Sequence, residues 1–235
     1  MENVPKISGR VSQLKASLTL AITSKVKAMR KDGIDVVGFG AGEPDFDTPD
    51  NIKRAGIEAI KKGFTKYTPA SGMAQLKEAV CKKFSKDNGL SYDPGEVVIS
   101  CGAKHALYNI LQAICDPGDE VIVIAPYWVS YPEMVTLSGA KCRFVVASEK
   151  NGFRVTPKDI EKVVSRRTKA MIINSPSNPT GTVLDENTLR GIAGIARAKN
   201  IYIISDEIYE KLIFDGEKHV SIAGLDKETR RLTFT

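Results

Sequence analysis

Residues 170–209 read AMIINSPSNPTGTVLDENTLRGIAGIARAKNIYIISDEIY: two short apolar runs, Ala170–Asn174 and Ile201–Ser205, with a helical pattern at Asp185–Lys199 between them. Strand, helix and strand in that order form the repeating unit of a parallel sheet. The first strand runs into Asn174-Ser175-Pro176-Ser177-Asn178-Pro179-Thr180-Gly181. Its prolines and glycine forbid a regular helix and force a rigid loop at the strand's C-terminal end, where ligands bind in open α/β sheets. The second stretch, Ile203-Ile204-Ser205-Asp206-Glu207-Ile208-Tyr209, sets a carboxylate at a strand end and a phenol three residues later. Alone, the loop can be merely structural and the aspartate a cap or turn former. Separated by one helix, they stand at successive strand ends of one sheet.

Working outward, further β-branched runs occur at Val36–Phe39, Val97–Ser100, Glu120–Ala125 and Lys141–Ala147. Helical patterns lie at Ser17–Lys31, Asn51–Lys62, Gly72–Asp87, Ala103–Cys115, Tyr131–Ser138 and Pro157–Ser165. The alternation predicts an α/β fold with a mainly parallel sheet sandwiched by helices. Asn88-Gly89 and Ser138-Gly139 are helix-stop signals, and Thr156-Pro157-Lys158-Asp159 puts a cap, an N1 proline and an N3 acid in register. A last strand at Arg231–Thr235 runs into the end of the chain, so the fold is expected to be incomplete there.

With 235 residues, 42% hydrophobic and 26% charged, the chain has the composition of a globular protein. The net charge of +6 is scattered in pairs such as Lys61-Lys62 and Arg166-Arg167, without the aromatic interleaving of a nucleic-acid surface, so no nucleic-acid partner is expected. Met1–Lys15 lacks the apolar core of a signal peptide, and the longest apolar stretch, around Val121–Val129, is too short to span a bilayer. A cytoplasmic protein without a membrane partner is expected. Cys81, Cys101, Cys115 and Cys142 form no CxxC pair, and only His105 and His219 could join them, so neither a metal site nor a disulfide framework is expected.

The Asn178 loop and the Asp206 strand, taken with Ala41-Gly42-Glu43-Pro44-Asp45-Phe46-Asp47-Thr48-Pro49, Lys66-Tyr67-Thr68-Pro69-Ala70-Ser71-Gly72, Ser100-Cys101-Gly102-Ala103-Lys104 and Pro126-Tyr127-Trp128, resemble the class I aminotransferases of the aspartate aminotransferase group, which are fold-type I pyridoxal-phosphate enzymes. The resemblance covers nearly the whole chain. It implies an N-terminal segment, residues 1–45, belonging to a small domain, and a large cofactor domain at 46–235, truncated. It implies pyridoxal phosphate as cofactor, an amino acid (aspartate or glutamate) and a 2-oxo acid as substrates, and a homodimer.

The resemblance also assigns roles residue by residue. Asp206 would keep the cofactor's pyridine nitrogen protonated, making the ring an electron sink. Asn178 and Tyr209 would hydrogen-bond the ring's phenolic oxygen, so Asp206 and Tyr209 count as catalytic. Gly102, Ala103 and Lys104, at the start of a helix, would hold the phosphate. Many relatives carry a hydroxyl-bearing residue where Lys104 stands. Trp128 would stack on the ring near the substrate carboxylate, Tyr67 would reach the neighbouring subunit's phosphate, and Gly42, Trp128, Asn178 and Lys15 would line the substrate site. Cis bonds are implied at Ala125-Pro126 and Asn178-Pro179.

Beyond Asp206 the lysines are Lys211, Lys218 and Lys227, and none stands in the family's small-residue-plus-lysine motif. The chain as given is therefore expected to be an N-terminal fragment without the Schiff-base lysine, and inactive by itself. A pyridoxal-phosphate lyase or synthase on the same scaffold is the enzymatic alternative. A nicotinamide-dependent dehydrogenase is the rival of a different class, because Gly40-Ala41-Gly42 imitates its glycine loop. It fails at the third glycine, where Asp45 stands, and Pro44 and Pro49 bracket a loop where that fingerprint needs a helix.

Overall fold

The computed structural model describes residues 6–14, 18–40, 42, 44 and 46–235. In chain order the elements are α1 (Gly9–Ser12), α2 (Leu18–Lys31), α3 (Asp50–Lys61), α4 (Ala74–Asn88), α5 (Ala103–Ile114), β1 (Glu120–Ala125), α6 (Ser130–Leu137), β2 (Lys141–Val146), α7 (Pro157–Glu161), β3 (Thr168–Asn174), α8 (Glu186–Lys199), β4 (Tyr202–Asp206), α9 (Lys227–Arg231) and β5 (Thr233–Phe234). Contacts divide the chain into two units, Met1–Leu14 with Ser71–Thr235, and Lys15–Ala70. The boundary expected near residue 45 falls inside the second of these.

The larger unit is built on five parallel strands in the order β2-β1-β3-β4-β5. Strand alternation divides their side chains between two cores. Val121, Val123, Ala170, Ile172 and Ile204 pack with Leu107 and Leu111 of α5 and Tyr131, Met134 and Val135 of α6. Ile122, Met171, Ile173 and Ile203 pack on the other face with Ile160 of α7 and Leu189, Ile192, Ala193 and Ala196 of α8. Both faces are covered, so the central strands read as unbroken apolar runs rather than as alternating ones.

Local signals agree with the helix ends. The Thr156 hydroxyl accepts from the Asp159 amide while the Asp159 carboxylate accepts from the Thr156 amide, a capping box that starts α7. Gly89 ends α4 at φ 66°, a left-handed conformation that glycine adopts without a Cβ clash. Among the described residues, no helix is long and apolar enough to cross a membrane.

Two expected strands are not strands. Val97–Ser100 has the β-branched composition, but its Ile99 amide bonds only to the Ser71 carbonyl and it joins no ladder. In the smaller unit, Val36–Phe39 lies along α2 instead: a Cβ on Gly38 would stand 3.0 Å from Val26 and one on Gly40 2.5 Å from Ile22. The Arg30 guanidinium also donates to the Val36 carbonyl at 3.3 Å. A run of β-formers becomes a strand only where another strand offers its edge, and neither run meets one. Pro157–Ser165 is shorter than its pattern, and Arg231–Thr235 divides between the end of α9 and the two residues of β5.

Candidate active site

The sheet order makes its one reversal around β1: the chain steps from β1 out to β2, then returns past β1 to β3. The carboxyl ends of β1 and β3 therefore flank a topological switch point, where open α/β sheets hold ligands. Tyr127 and Trp128 leave the first strand end, and Asn174 to Asn178 leave the second. A cavity of about 30 Å³ lies there, lined by Pro126, Tyr127, Tyr131, Asn174, Asn178 and Thr180 among others. The bonds at Ala125-Pro126 and Asn178-Pro179 are cis, as is Ser175-Pro176.

Asp206 closes β4, paired in register with Asn174 of β3. Alternation places it on the same face as Ile204, toward α5 and α6, and it is buried. Its Oδ2 accepts a hydrogen bond from the Tyr131 hydroxyl at 2.7 Å, and its Oδ1 accepts from the Ile208 amide at 3.3 Å. Burial, and then the negative charge of Asp206, hold the Tyr131 phenol well above the usual tyrosine range, so it stays a donor. A buried carboxylate held by two neutral donors and, among the described residues, by no cation is suited to a positive nitrogen on a ligand.

Contacts connect the other strand ends to this carboxylate. Tyr131 meets Trp128 edge to face, ring centroids 5.4 Å apart. The Lys104 ammonium lies 4.9 Å from the Trp128 ring centre, a cation–π approach worth roughly 0.5–1 kcal/mol at an exposed site. On the other side, the Asn174 side-chain amide donates to the Asp206 carbonyl at 2.9 Å, and its oxygen accepts from the Asn178 amide at 2.7 Å. Lys104, Trp128, Asp206 and Asn178 thus belong to one connected constellation. Asn178 and Tyr209 are half-buried, and among the described residues neither side chain makes a hydrogen bond.

The start of α5 has the form of an anion cradle. Gly102 caps it at φ 81° with nothing within 4 Å of where a Cβ would stand, and no side chain caps the helix. Among the described residues the amides of Ala103 and Lys104 have no protein acceptor, while the Cys101 amide donates to His105 Nδ1 at 3.3 Å. First-turn amides left open in this way, with the helix dipole behind them, suit a phosphate.

Sequence reasoning missed Tyr131 and Asn174, the two side chains that hold Asp206 and the Asn178 loop. Tyr131 carried one available signal, a phenol three residues after Trp128. Gly42 and Tyr67 lie in the smaller unit, both exposed and outside any helix or strand. Lys15 lies outside the described residues. Lys211 pairs with Asp87 of α4 at 3.0 Å, and that hydrogen bond raises its ammonium pKa.

The family model for class I and II aminotransferases matches residues 34–235. The aspartate aminotransferase of Geobacillus stearothermophilus is 50% identical over 97% of this chain, and the probable aspartate/prephenate aminotransferase of Aquifex aeolicus is 48% identical over 97%. The chain spans 58% of the length of each. The structure of Thermus thermophilus aspartate aminotransferase with maleate superposes with a TM-score of 0.94 at 43% identity, over 98% of this chain and 59% of that one. Enzymes of the aspartate aminotransferase family depend on pyridoxal phosphate. With the motifs, the parallel sheet and these matches in agreement, the chain belongs to the class I and II aminotransferases.

Proposed function

We propose that the protein moves an amino group between aspartate or glutamate and a 2-oxo acid with pyridoxal phosphate as cofactor, as a cytoplasmic homodimer. The observation that carries this reading is Asp206: a buried strand-end carboxylate, held by Tyr131 at 2.7 Å and in register with the strand that leads to Asn178.

The residues present fit the cofactor by the chemistry of their donors and acceptors. The open amides of Ala103 and Lys104 beyond Gly102 would take its phosphate, and the Lys104 ammonium adds positive charge nearby. Trp128 offers a ring face for stacking. Asp206 would hold a proton on the pyridine nitrogen, since an anion in a low-dielectric site favours the charged form of a basic partner. Asn178 and Tyr209 have uncommitted polar groups that would donate to the ring's phenolic oxygen. When bound, the cofactor supplies an aldehyde that captures an amine and a ring that takes up electrons released at the amino acid's α-carbon.

Gly42, Trp128, Asn178 and Lys15 are proposed to contact the substrate, and Tyr67 the phosphate of a second subunit. Support for a dicarboxylic substrate comes from the names of the relatives. The test is an amino-transfer assay on the full-length protein with pyridoxal phosphate, offering aspartate, glutamate or alanine with 2-oxo acids. Rapid transfer from the two dicarboxylic donors and slow transfer from alanine is expected. Substrate decarboxylation or elimination without amino transfer would overturn the reading.

A further inference from the structure

Tyr209 lies in a turn rather than in a helix or strand, and its side chain has no hydrogen-bond partner among the described residues. Its position is therefore inherited from its neighbours. The backbone folds into two successive turns, the Glu210 amide donating to the Glu207 carbonyl at 3.0 Å and the Leu212 amide to the Tyr209 carbonyl at 2.8 Å. Three side chains flank the phenol, and each is fastened elsewhere: Glu207, Glu210 and Lys211.

These anchors differ in strength. Lys211 pairs with Asp87 but is itself 68% exposed, and such a surface pair contributes little. Glu210 takes the Lys83 ammonium and the Asn88 amide of α4, the latter at 2.8 Å. Glu207 is the most buried, its side chain 8% exposed, and three groups converge on it. The Ser205 and Ser221 hydroxyls donate to Oε1 at 2.7 and 2.8 Å, and His219 Nε2 lies 2.8 Å from Oε2. Among the described residues, His219 Nδ1 is buried with no partner. A proton there would be a sealed donor without an acceptor, so the ring carries its proton on Nε2 and donates it to Glu207.

Glu207, Glu210 and His219 stand close enough to resemble a cation site. Their facing atoms are already taken by two hydroxyls, an amide and the Lys83 ammonium, which supplies the positive charge. The group is a hydrogen-bonded hub. It ties the end of β4 through Ser205 to the returning segment through His219 and Ser221, and the turn with Tyr209 leaves from the knot between them.

We propose that Glu207 is a positioning residue: through this hub it holds the Glu207–Lys211 turn so that the Tyr209 phenol is presented at the rim of the site. The proposal rests on the role given to Tyr209 above. Two variants separate it from general stability. In Glu207→Gln the shape is kept, but the amide has one acceptor oxygen in place of two, so the Nε2 proton of His219 and the two serine hydroxyls can no longer all donate to charged oxygens as they do in the wild type. His219→Ala removes one donor and leaves the carboxylate; His219→Gln, whose amide can still donate, is the rescue.

Amide hydrogen exchange on the cofactor-free, full-length protein is the first measurement. Glu207→Gln and His219→Ala should speed exchange at the Glu210 and Leu212 amides by about tenfold, with β1 and β3 unchanged and His219→Gln near wild type. Equal acceleration throughout the sheet would mean that Glu207 only stabilises the fold, and the proposal would fall. The second measurement is the absorption of bound cofactor titrated against pH. Tyr209→Phe should move the transition to higher pH, Glu207→Gln should move it the same way, and the double variant no further than Tyr209→Phe alone. Additive shifts, or a shift in Tyr209→Phe with none in Glu207→Gln, would overturn the positioning role alone. No shift in Tyr209→Phe itself would remove the role of Tyr209, and the proposal with it.

Discussion

Asp206 and Glu207 are adjacent carboxylates that leave one strand end on opposite faces of the sheet, and their surroundings differ. Asp206 faces α5 and α6 with one phenol and one amide for company, and the polar side chains of Asn178 and Tyr209 nearby make no hydrogen bond among the described residues. Glu207 faces the α8 side, where its oxygens are taken by two hydroxyls and an imidazole. Polar groups inside a protein are normally paired, so a carboxylate with uncommitted side chains around it suits a ligand, and one whose oxygens are all taken serves the frame. The difference separates an acid left open to a ligand from an acid committed to the frame.

The largest effect expected is at the uncommitted side. In the complete enzyme Asp206→Ala should slow amino transfer by roughly 10²–10³, the scale for removing one preorganised electrostatic partner, while cofactor retention falls far less because the phosphate cradle is untouched. Single-turnover kinetics with aspartate and equilibrium dialysis of the cofactor measure the two. Near-normal transfer rates in this variant would break the comparison at its first member.

A smaller effect should follow from Tyr131→Phe, which keeps the ring but takes the hydroxyl from Asp206. A hydrogen bond to a charged group is worth about 1.5–3 kcal/mol, so turnover should drop roughly tenfold or somewhat more, with Trp128 still in contact with the ring. Comparing kcat with KM sharpens the result. Loss confined to KM would show that Tyr131 serves substrate binding rather than the carboxylate.

The smallest effect belongs to the frame. The Asp159 carboxylate of the α7 capping box is held down to about 2, first by the Thr156 hydroxyl and then by Lys162. Its folded value is below the unfolded value of about 3.9. The stability it contributes is therefore present above about pH 4 and lost as pH falls through about 2. Asp159→Ala should cost less than about 1 kcal/mol, since the side chain is 36% exposed and screened by solvent. Urea titrations at pH 7 and pH 2.5 should show the difference shrinking at the lower pH, with amino transfer at pH 7 unchanged. A difference that grows in acid would contradict the assignment.

Much of this molecule was legible from residue order alone. Four of the five strands and the helices α5, α6 and α8 lie within a few residues of their apolar patterns, because those segments carry both local propensity and a buried face. The Asn178 loop, the Asp206 strand end and the Gly102 helix start were legible for a different reason: prolines, a glycine and a lone acid stand where regular structure stops. The strands expected at Val36–Phe39 and Val97–Ser100 were not realised, since pairing depends on a neighbour that local sequence does not specify. Sequence by itself determined the class of fold, the family motifs and the parity that sends Asp206 and Glu207 to opposite faces, because strand alternation is a local property of the backbone. Only the tertiary structure decided that Tyr131 meets Asp206, that Asn174 ties it to the Asn178 loop, and that His219 and Ser221 close on Glu207. Apart from the Asn174–Asn178 contact, those partners are 12 to 75 residues apart, and what brings them together is the packing of helices on the sheet, which no local pattern encodes.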